Sequence, residues 1–416
     1  MSHVLGLRCA LCGAEYGPDE VGYVCPKHGH EGILDVVYDY PAIRRRFTRE
    51  ALARRREPSI WRYLELLPIE RPELIPPLQV GWTPLYQARR LAERLGMANL
   101  WVKDDGRNPT ASFKDRASAV GVVKARELGK TIITAASTGN AASSLAGLAA
   151  STGLSTVIFV PECAPEAKVA QLLVFGATVF MIRGTYDQAF DLCLYASDRY
   201  GWYSRNTAYN PYLSEGKKTA ALEICEQLRW EAPDRIYVSV GDGCIIGGLW
   251  KGLRDLQALG LINRLPRLMG VQAEGSAVLT RAWQKGTEEI EPAEAHTIAD
   301  SISVGIPRDR IKALRAVRDS QGGYITVSDE EILDAMRLLA REAGVFAEPA
   351  GATPLAGLRR SLGEGAIDPG ERIVLLVTGN GLKDVQSAIR AAGRPHLIEP
   401  SHEALEGAVG QAGLFV

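Results

Sequence analysis

Short runs of apolar, β-branched residues alternate along most of the chain with longer stretches in which apolar residues recur every three or four positions. The short runs predict strands, and the longer stretches predict amphipathic helices that cover them. Ile373–Val377 is continuously apolar, which is typical of a strand covered on both faces. The alternation therefore predicts parallel sheets wrapped by helices. The predicted strands are Leu100–Lys103, Ile132–Ala136, Thr156–Val160, Thr178–Ile182, Ile236–Val240, Leu268–Gln272 and Ile373–Val377.

Two of the predicted helices have ends that can be read from the sequence. A hydroxyl residue followed three positions later by Gln or Glu forms a capping box, which satisfies free N–H groups of the first helical turn. Glycine at the other end is typical of a helix stop, because it readily adopts the left-handed conformation. The capping pairs are Thr185 with Gln188 and Ser328 with Glu331, and the closing glycines are Gly201 and Gly344.

Composition narrows the class of function. The chain has 416 residues with 48 Lys+Arg and 49 Asp+Glu, so nothing favours non-specific binding to nucleic acid or to an acidic membrane. Thr131–Pro161 is uncharged, but hydroxyl and amide residues interrupt its apolar runs, so it predicts buried core rather than a membrane span. The seven cysteines, three near the N-terminus and four scattered, are an odd number that favours a reducing compartment over a disulfide framework, and we expect a cytoplasmic location.

The first 45 residues differ from the rest in composition. They contain the spacings Cys9-x2-Cys12 and Cys25-x2-His28, which resemble the two knuckles of a zinc ribbon. Thiolate and imidazole ligands on two turns suit a closed tetrahedral zinc site. We predict a zinc-ribbon-like module over residues 1–45, with His30 as a less favoured fourth ligand. The alternative is a turn module with free thiols.

Lys114 stands at the first of four junctions between a predicted strand and a predicted helix. In open parallel sheets such junctions bind ligands. Ser112 is a plausible cap for the helix that carries Lys114 in its first turn. The positive end of the helix dipole disfavours an ammonium there, and the neutral amine is the form that attacks carbonyl groups to make Schiff bases. The alternative is a surface lysine beside Asp115 and Arg116.

Three further junctions are rich in small and polar residues: 136–144, 240–248 and 377–384. The first could hold an anion at a helix start, or could be a simple cap. The second is a glycine-rich turn that lets backbone amides approach a phosphate, or is only structural. It lacks the third glycine of a dinucleotide fingerprint, because Ile246 stands there. In the last junction, the Thr378 hydroxyl could meet a ring nitrogen of a ligand.

Taken together and in this order, the motifs resemble the β-family (fold type II) of pyridoxal-phosphate enzymes, and within it the threonine synthases. The resemblance runs from Gly81 to Asp384. Its most specific blocks are NPTASFKDR (108–116), STGN (137–140) and TGNGLKD (378–384), supported by NPYLSEGKKT (210–219) and FAEPAG (346–351).

The resemblance implies a role for each matching position. Lys114 matches the lysine that binds the cofactor as a Schiff base and moves protons. Asn140 matches the asparagine that hydrogen-bonds the ring hydroxyl of the cofactor. Thr378 matches the residue whose hydroxyl faces the pyridine nitrogen. The loop that cradles the cofactor phosphate is Gly241, Asp242, Gly243, Cys244 and Ile245. Hydroxyls and cations near this site, beyond what the cofactor needs, predict a substrate with its own phosphate. The predicted substrate-binding residues are Ser112, Arg116, Ser137, Thr138 and Lys217.

The implied fold is α/β, with two open parallel-type sheets wrapped by helices and a cofactor cleft between them, similar to the β subunit of tryptophan synthase. We predict a small domain over 115–210 and a large cofactor domain over 46–114 and 211–416, preceded by the zinc-ribbon-like module at 1–45. The partner is a small phosphorylated amino acid, without nucleic acid or membrane. A homodimer is left open.

The implied reaction converts O-phospho-L-homoserine and water to L-threonine and phosphate. The alternatives are another β-family enzyme, such as a threonine or serine dehydratase or a synthase that replaces the phosphate of phosphoserine, for example cysteate synthase. A non-catalytic ligand-sensing module is less favoured, because a sensor needs no Schiff-base lysine. Asp242 and Asn380 depart from the Asn and His that threonine synthases usually carry there, and both bear on substrate choice.

Overall fold

The structure is a computed structural model that describes residues 3–137, 139–164 and 166–414. Thirteen strands are present in this part of the chain. They are β1 (Val4–Cys9), β2 (Glu15–Tyr16), β3 (Leu34–Tyr38), β4 (Leu85–Gln87), β5 (Asn99–Asp104), β6 (Ile132–Ala136), β7 (Ser155–Pro161), β8 (Thr178–Ile182), β9 (Tyr203–Ser204), β10 (Arg235–Ser239), β11 (Arg267–Ala273), β12 (Gly323–Val327) and β13 (Arg372–Val377).

Fifteen α-helices accompany the strands in the same described ranges. They are α1 (Tyr40–Arg44), α2 (Arg49–Ala53), α3 (Arg89–Arg94), α4 (Lys114–Glu127), α5 (Asn140–Ala150), α6 (Glu166–Val174), α7 (Tyr186–Tyr200), α8 (Tyr212–Gln227), α9 (Cys244–Ala258), α10 (Val278–Gln284), α11 (Arg310–Asp319), α12 (Asp329–Ala343), α13 (Pro349–Gly363), α14 (Val385–Ala392) and α15 (His402–Gln411).

The larger sheet has six strands in the order β12-β11-β10-β13-β5-β4. Five of them run parallel, and β4 pairs antiparallel with β5 at one edge, so the sheet is mixed rather than parallel throughout. Strand β13 is buried almost along its whole length, as its continuous apolar run predicted. Sequence reading missed β12, because Gly323 and Tyr324 break the apolar run at its start.

A smaller, fully parallel sheet has four strands in the order β8-β7-β6-β9. The uncharged stretch 131–161 forms β6, α5 and β7, and most of its residues are buried. The interpretation of this stretch as core is therefore confirmed. Among the residues that the structure describes, no helix combines the length and the apolar character that crossing a membrane requires.

The N-terminal residues form a third sheet of three antiparallel strands in the order β2-β1-β3. Its buried side chains, including Leu7, Leu34 and Val36, belong to the same core cluster as apolar residues of α8, α9 and α11. The Nζ of Lys312 on α11 donates a hydrogen bond to the carbonyl of Leu34 and another, of 2.6 Å, to the carboxylate of Asp35. This sheet therefore packs directly on the helices of the large sheet.

The helix ends predicted from the sequence are confirmed. Both capping boxes are present, with the hydroxyl of Thr185 accepting from the N–H of Gln188 and that of Ser328 accepting from the N–H of Glu331. Gly201 and Gly344 close their helices in the left-handed conformation, at φ values of 68° and 66°. One predicted cap is wrong: α4 begins at Lys114 with Phe113 as its N-cap residue and no side-chain cap, so Ser112 does not serve this helix.

Candidate active site

A cavity of about 680 Å³ lies between the two larger sheets. Its walls are the carboxyl ends of strands and the helix starts that follow them, including β6, β10 and β13. In open parallel sheets this is the edge where ligands bind, because strands end there and helix N-termini point inward. The junctions singled out in the sequence at 136–144 and 240–248 both contribute lining residues.

Lys114 lines the cavity as the first residue of α4. Burial lowers the pKa of its amine, and the nearby cations of Lys217 and Arg205 lower it further. The N-terminal end of the helix dipole acts in the same direction. The neutral amine, which is the nucleophilic form, is therefore favoured at this position.

Asn140 lines the same cavity from the first turn of α5. Its side-chain N–H group donates to the carboxylate of Glu348, at 2.8 Å to Oε1 and 3.1 Å to Oε2, and to the hydroxyl of Ser301 at 3.2 Å. Glu348 is buried, and burial raises the pKa of its carboxyl group. The carboxylate fixes the orientation of the Asn140 amide and hence what that amide presents to the cavity.

Glu348 is a site residue that sequence reasoning did not single out, although the block 346–351 contained it. The residue that points to Glu348 is Gly379, in the block 378–384 of the same site. A Cβ atom at Gly379 would lie 2.2 Å from Oε1 of Glu348, so only glycine leaves room for the carboxylate. The requirement for glycine directly after Thr378 is thus explained by the side chain of Glu348, 31 residues earlier in the chain. The spacing of residues in the sequence does not reveal this contact.

The segment from Gly241 to Ile245 follows β10, includes the first two residues of α9 and lines the cavity. Gly243 is the N-cap residue of α9 with φ of 92°, a conformation that favours glycine. A Cβ atom at Gly241 would lie 2.9 Å from the backbone of Ile302. The free N–H groups of the first turn of α9 therefore face a space that small residues keep open, which suits an anionic group.

Asp242 does not place an unpaired carboxylate beside this anion site. Its Oδ1 accepts a hydrogen bond of 3.2 Å from the backbone N–H of Arg308, and its carbonyl accepts from the N–H of Asp309 at 2.9 Å. Both contacts hold Asp242 against the segment that precedes α11. The departure from the usual asparagine is therefore compatible with a phosphate at the neighbouring amides.

Thr378 stands directly after β13 and lines the cavity, with 7% of its surface exposed. Its carbonyl accepts a hydrogen bond of 2.8 Å from the N–H of Phe113, the residue before Lys114. A bridge between Ser112 and Gly379 adds to this connection. The strand end that carries Thr378 and the helix start that carries Lys114 are thus joined by backbone hydrogen bonds.

Two of the residues predicted to bind substrate lie away from the cavity. Arg116 has no exposed surface, and its guanidinium is paired with the carboxylates of Asp105 and Glu223. Ser112 is also completely buried, and its hydroxyl has no hydrogen-bond partner among the described residues. For Arg116 the prediction is wrong because two acidic residues distant in sequence already neutralise its charge. Ser112 is not among the residues that line the cavity, and its contact with the substrate stays a prediction.

The other predicted substrate-binding residues lie as follows. Ser137 and Lys217 both line the cavity, and Lys217 is only 1% exposed. Thr138 lies outside the described residues. Arg205, one of several cations in the sequence that could meet a substrate phosphate, follows β9 and also lines the cavity although it is only 1% exposed.

The N-terminal cysteines form a second candidate site, and none of them lines the cavity. The ligand atoms of Cys9, Cys12, Cys25 and His28 all lie within 4.8 Å of one another. Tight turns form both pairs, with the N–H of Gly13 bonded to the carbonyl of Cys9 and that of His28 bonded to the carbonyl of Cys25. Three thiols and one imidazole at this separation fit the four ligands of a structural zinc ion.

Comparisons with known proteins agree with this geometry. Residues 77–379 match the family described as pyridoxal-phosphate dependent enzyme. The chain is 43% identical to the threonine synthase of Methanocaldococcus jannaschii, over 94% of this chain and 96% of that protein. It is 42% identical to the threonine synthase of Methanosarcina acetivorans, over 97% of this chain and 98% of that protein.

Among solved structures, the fold resembles the processed form of threonine deaminase isoform 2 from Solanum lycopersicum. The TM-score is 0.62 at 22% identity, over 80% of this chain and 84% of that one. This likeness concerns the fold. The sequence match to the enzyme family and the near-full-length identity to curated relatives lead to one conclusion: the chain belongs to the pyridoxal-phosphate dependent enzymes and, within them, to the threonine synthase family.

Proposed function

We propose that this protein catalyses the pyridoxal-phosphate-dependent conversion of O-phospho-L-homoserine and water to L-threonine and phosphate. The observation that carries the proposal is Lys114, a lysine with a lowered amine pKa in a cleft that also holds the N-terminus of α9. The relatives named threonine synthase, which match over nearly the whole chain, support the same reaction.

The residues of the cleft fit the cofactor. Lys114 offers the amine for covalent attachment, Asn140 an amide for the ring hydroxyl, and Thr378 a hydroxyl for the ring nitrogen. The amides of the loop from Gly241 to Ile245 offer donors for the phosphate, including those of Asp242, Gly243 and Cys244. When bound, pyridoxal phosphate supplies an electron sink for the carbon–hydrogen bonds that must break.

The amine of Lys114 is the group that moves protons. It takes one proton from the α-carbon and then one from the β-carbon of the substrate, and the electron pair of the broken β-carbon–hydrogen bond expels the phosphate from the γ-carbon. It then returns one proton to the γ-carbon and one to the α-carbon. Water supplies the hydroxyl that adds at the β-carbon, so that the products are one threonine and one phosphate. A lowered amine pKa makes this exchange possible near neutral pH, because the unprotonated base is then populated.

Thr378 directs the chemistry toward elimination and addition. A neutral hydroxyl cannot stabilise a protonated ring nitrogen as a carboxylate would, so electron withdrawal from the substrate is milder. Milder withdrawal suits elimination and replacement better than transamination. A hydroxyl at this position therefore supports a lyase rather than an aminotransferase.

For the substrate itself, we retain Ser137, Thr138 and Lys217 as proposed contacts, since hydroxyls and a cation suit a phosphate.

The domain division at 45, 115 and 210 and a cytoplasmic location also remain proposals. The four cysteines outside the N-terminal cluster are free thiols, which supports a cytoplasmic location. A homodimer stays a prediction.

We further propose that Cys9, Cys12, Cys25 and His28 hold one zinc ion. A closed four-ligand site of this kind has no open position for substrate, so its role is structural. The three-stranded sheet that carries the ligands shares its core with α8, α9 and α11, and metal there would stabilise the support of the cofactor loop.

The decisive experiment compares four substrates side by side: phosphohomoserine, phosphoserine with sulfite, threonine and serine. We expect phosphohomoserine to yield phosphate and threonine in equal amounts, faster than any other reaction. If the enzyme converts threonine to 2-oxobutanoate faster than it consumes phosphohomoserine, it is a dehydratase. If phosphoserine with sulfite is the best pair, it is a β-replacement synthase.

A further inference from the structure

Arg205 is a buried arginine without a carboxylate partner. It is 1% exposed, and its only side-chain hydrogen bond within the described residues is from Nε to the hydroxyl of Ser118, at 3.0 Å. Its Nη2 has no partner at all in that part of the chain. Burial lowers the pKa of the guanidinium to about 10. A buried, unpaired guanidinium is unfavourable unless an anion compensates it.

Lys217 is a second cation of the same kind. It is 1% exposed and lines the same cavity from α8. It forms no ion pair or side-chain hydrogen bond with any residue that the structure describes. Arg205 and Lys217 both lower the pKa of Lys114, so the two charges converge on one region of the cleft.

The other cations near the cleft are already neutralised. Arg308 pairs with Asp187 at 3.1 Å, and Lys168 pairs with Asp300. Arg116 is neutralised by its buried acidic neighbours, as described above. Arg205 and Lys217 are therefore the two cleft-lining cations that form no ion pair with a described residue, although Asp115 acts on Arg205 and Asp309 on Lys217 from a greater distance. Lys114 is engaged once the cofactor is attached.

A helix N-terminus adds to this positive region. Cys244, the first residue of α9, lies close enough to Arg205 and Lys217 for its thiol to interact with both charges. The helix runs for 15 residues, and its first-turn N–H groups have no acceptors within the helix. Two unpaired cations beside such an end form a site for a doubly charged anion.

We propose that Arg205 and Lys217 together bind a phosphate monoester dianion in the floor of the cleft, with Arg205 as the group that sets affinity for the phosphate. This inference rests on the proposed function, which supplies two phosphates of this chemistry: that of the substrate and that of the cofactor. The guanidinium can offer two parallel N–H donors to a phosphate, which an amine cannot.

The test uses Arg205→Gln and Arg205→Lys in the full-length holoenzyme, with Arg183→Gln as the control. The side chain of Arg183 is 94% exposed, so Arg183→Gln changes the net charge of the protein by the same amount as Arg205→Gln without altering the cleft. Three quantities are measured: binding of inorganic phosphate by calorimetry, KM and kcat for phosphohomoserine, and cofactor loss during dialysis. Phosphate binding and cofactor loss need no turnover, so they separate this inference from the proposed reaction.

We expect Arg205→Gln to weaken at least one phosphate interaction by about ten- to a hundredfold, since a hydrogen-bonded charge contributes about that much. Arg205→Lys should recover part of it, and Arg183→Gln should behave as the parent. A raised KM with weaker inorganic phosphate binding and normal cofactor retention assigns the site to the substrate phosphate. Faster cofactor loss with an unchanged KM in the loaded enzyme assigns it to the cofactor phosphate.

The inference is overturned if all three quantities stay within twofold of the parent in Arg205→Gln. It is also overturned if this variant loses only folding stability while its folded fraction binds phosphate normally. Should Arg205→Gln fail to fold, Lys217→Gln is measured in the same three ways, and an unchanged result there overturns the inference equally. A parent enzyme that binds phosphate but leaves phosphohomoserine intact contradicts the proposed reaction and not the phosphate site.

Discussion

Arg116 and Glu223 form a completely buried, two-pronged ion pair, with Nη1 2.5 Å from Oε1 and Nη2 2.8 Å from Oε2. The same guanidinium contacts Asp105 at 2.6 Å, and the same carboxylate accepts from Lys103 at 2.6 Å. Two cations and two anions thus balance within the core. The cluster joins α4, which begins with Lys114, to β5 and α8.

Replacing Arg116 by alanine should therefore reduce stability rather than substrate affinity. Removing one partner of a buried ion pair leaves uncompensated charge and costs about 3–5 kcal/mol. Denaturant unfolding should show a loss of this size for Arg116→Ala. The matched control is Arg8→Ala, whose partner Glu15 is on the surface, and its loss should stay below about 1 kcal/mol. An Arg116→Ala protein of parental stability with a selectively raised KM would restore Arg116 as a substrate contact.

The same pair predicts how stability depends on pH. Its cationic partners hold the pKa of Glu223 at about 2 against the opposing effect of burial, below the ordinary value of 4.5. A carboxyl group whose pKa is lower in the folded state stabilises the protein above its unfolded pKa, and this stabilisation is lost as pH falls through the folded pKa. The free energy of unfolding should therefore fall between about pH 4.5 and pH 2, and Glu223→Gln should remove part of that slope. Glu15→Gln, at an exposed position, should leave the slope unchanged; an identical slope in Glu223→Gln contradicts the assignment.

Lys114 should be the residue that carries the cofactor. Borohydride reduction of the parent enzyme should leave the cofactor covalently attached to the peptide that contains Lys114, as peptide mass analysis would show. Lys114→Ala should show no such attachment and lose activity by several orders of magnitude. Lys285→Ala, on the surface, serves as the control for the loss of one lysine. Attachment at another lysine in the parent would refute the assignment.

Gly379 should be intolerant of a side chain because of Glu348. A Cβ atom at this position would lie 2.2 Å from the carboxylate that holds Asn140, so alanine must displace that carboxylate. We expect Gly379→Ala to weaken cofactor retention about tenfold and to destabilise the fold by about 1–3 kcal/mol. Gly363→Ala meets nothing within 4 Å and should be neutral. Dialysis against cofactor-free buffer and denaturant unfolding check both; parental retention in Gly379→Ala would mean that Glu348 does not position Asn140.

Metal analysis should find one zinc per chain. Cys25→Ser removes a buried ligand and should abolish zinc binding and lower the unfolding midpoint, because the metal stabilises the folded module. Cys163→Ser changes an exposed cysteine outside the cluster and should keep the zinc. A parent protein free of zinc, with the same unfolding midpoint before and after chelation, would show that the cluster is a turn module without metal.

Much of the fold was accessible from the sequence. Strands covered on both faces are mostly apolar, so β6, β7, β10, β11 and β13 could be recognised from their apolar runs. Strands β5 and β8 were also predicted, although β5 ends in charged residues and β8 is an edge strand with no buried position. Helix ends depend on neighbouring residues alone, so the two capping boxes could be read directly. Lys114, Asn140 and Thr378 could be found because each follows a strand at a recognisable junction. Strand β12 and the edge strand β4 were missed, because short or polar strands are defined by their partners and not by their own pattern.

Only the tertiary structure decides which charged side chains are available to bind a ligand. Arg116 lies near the start of a helix and Arg205 follows the end of a strand, and the residues next to them in the sequence do not show which of the two has a carboxylate partner. Arg116 is neutralised by Glu223, 107 residues further along, whereas no described carboxylate pairs with Arg205. Glu348 likewise gains its role from Asn140, 208 residues earlier. The sequence by itself therefore determined the strands, the caps and the family motifs, because these depend on short-range pattern. The pairing of buried charges was left to the fold, because electrostatic partners are set by distance in space and not along the chain.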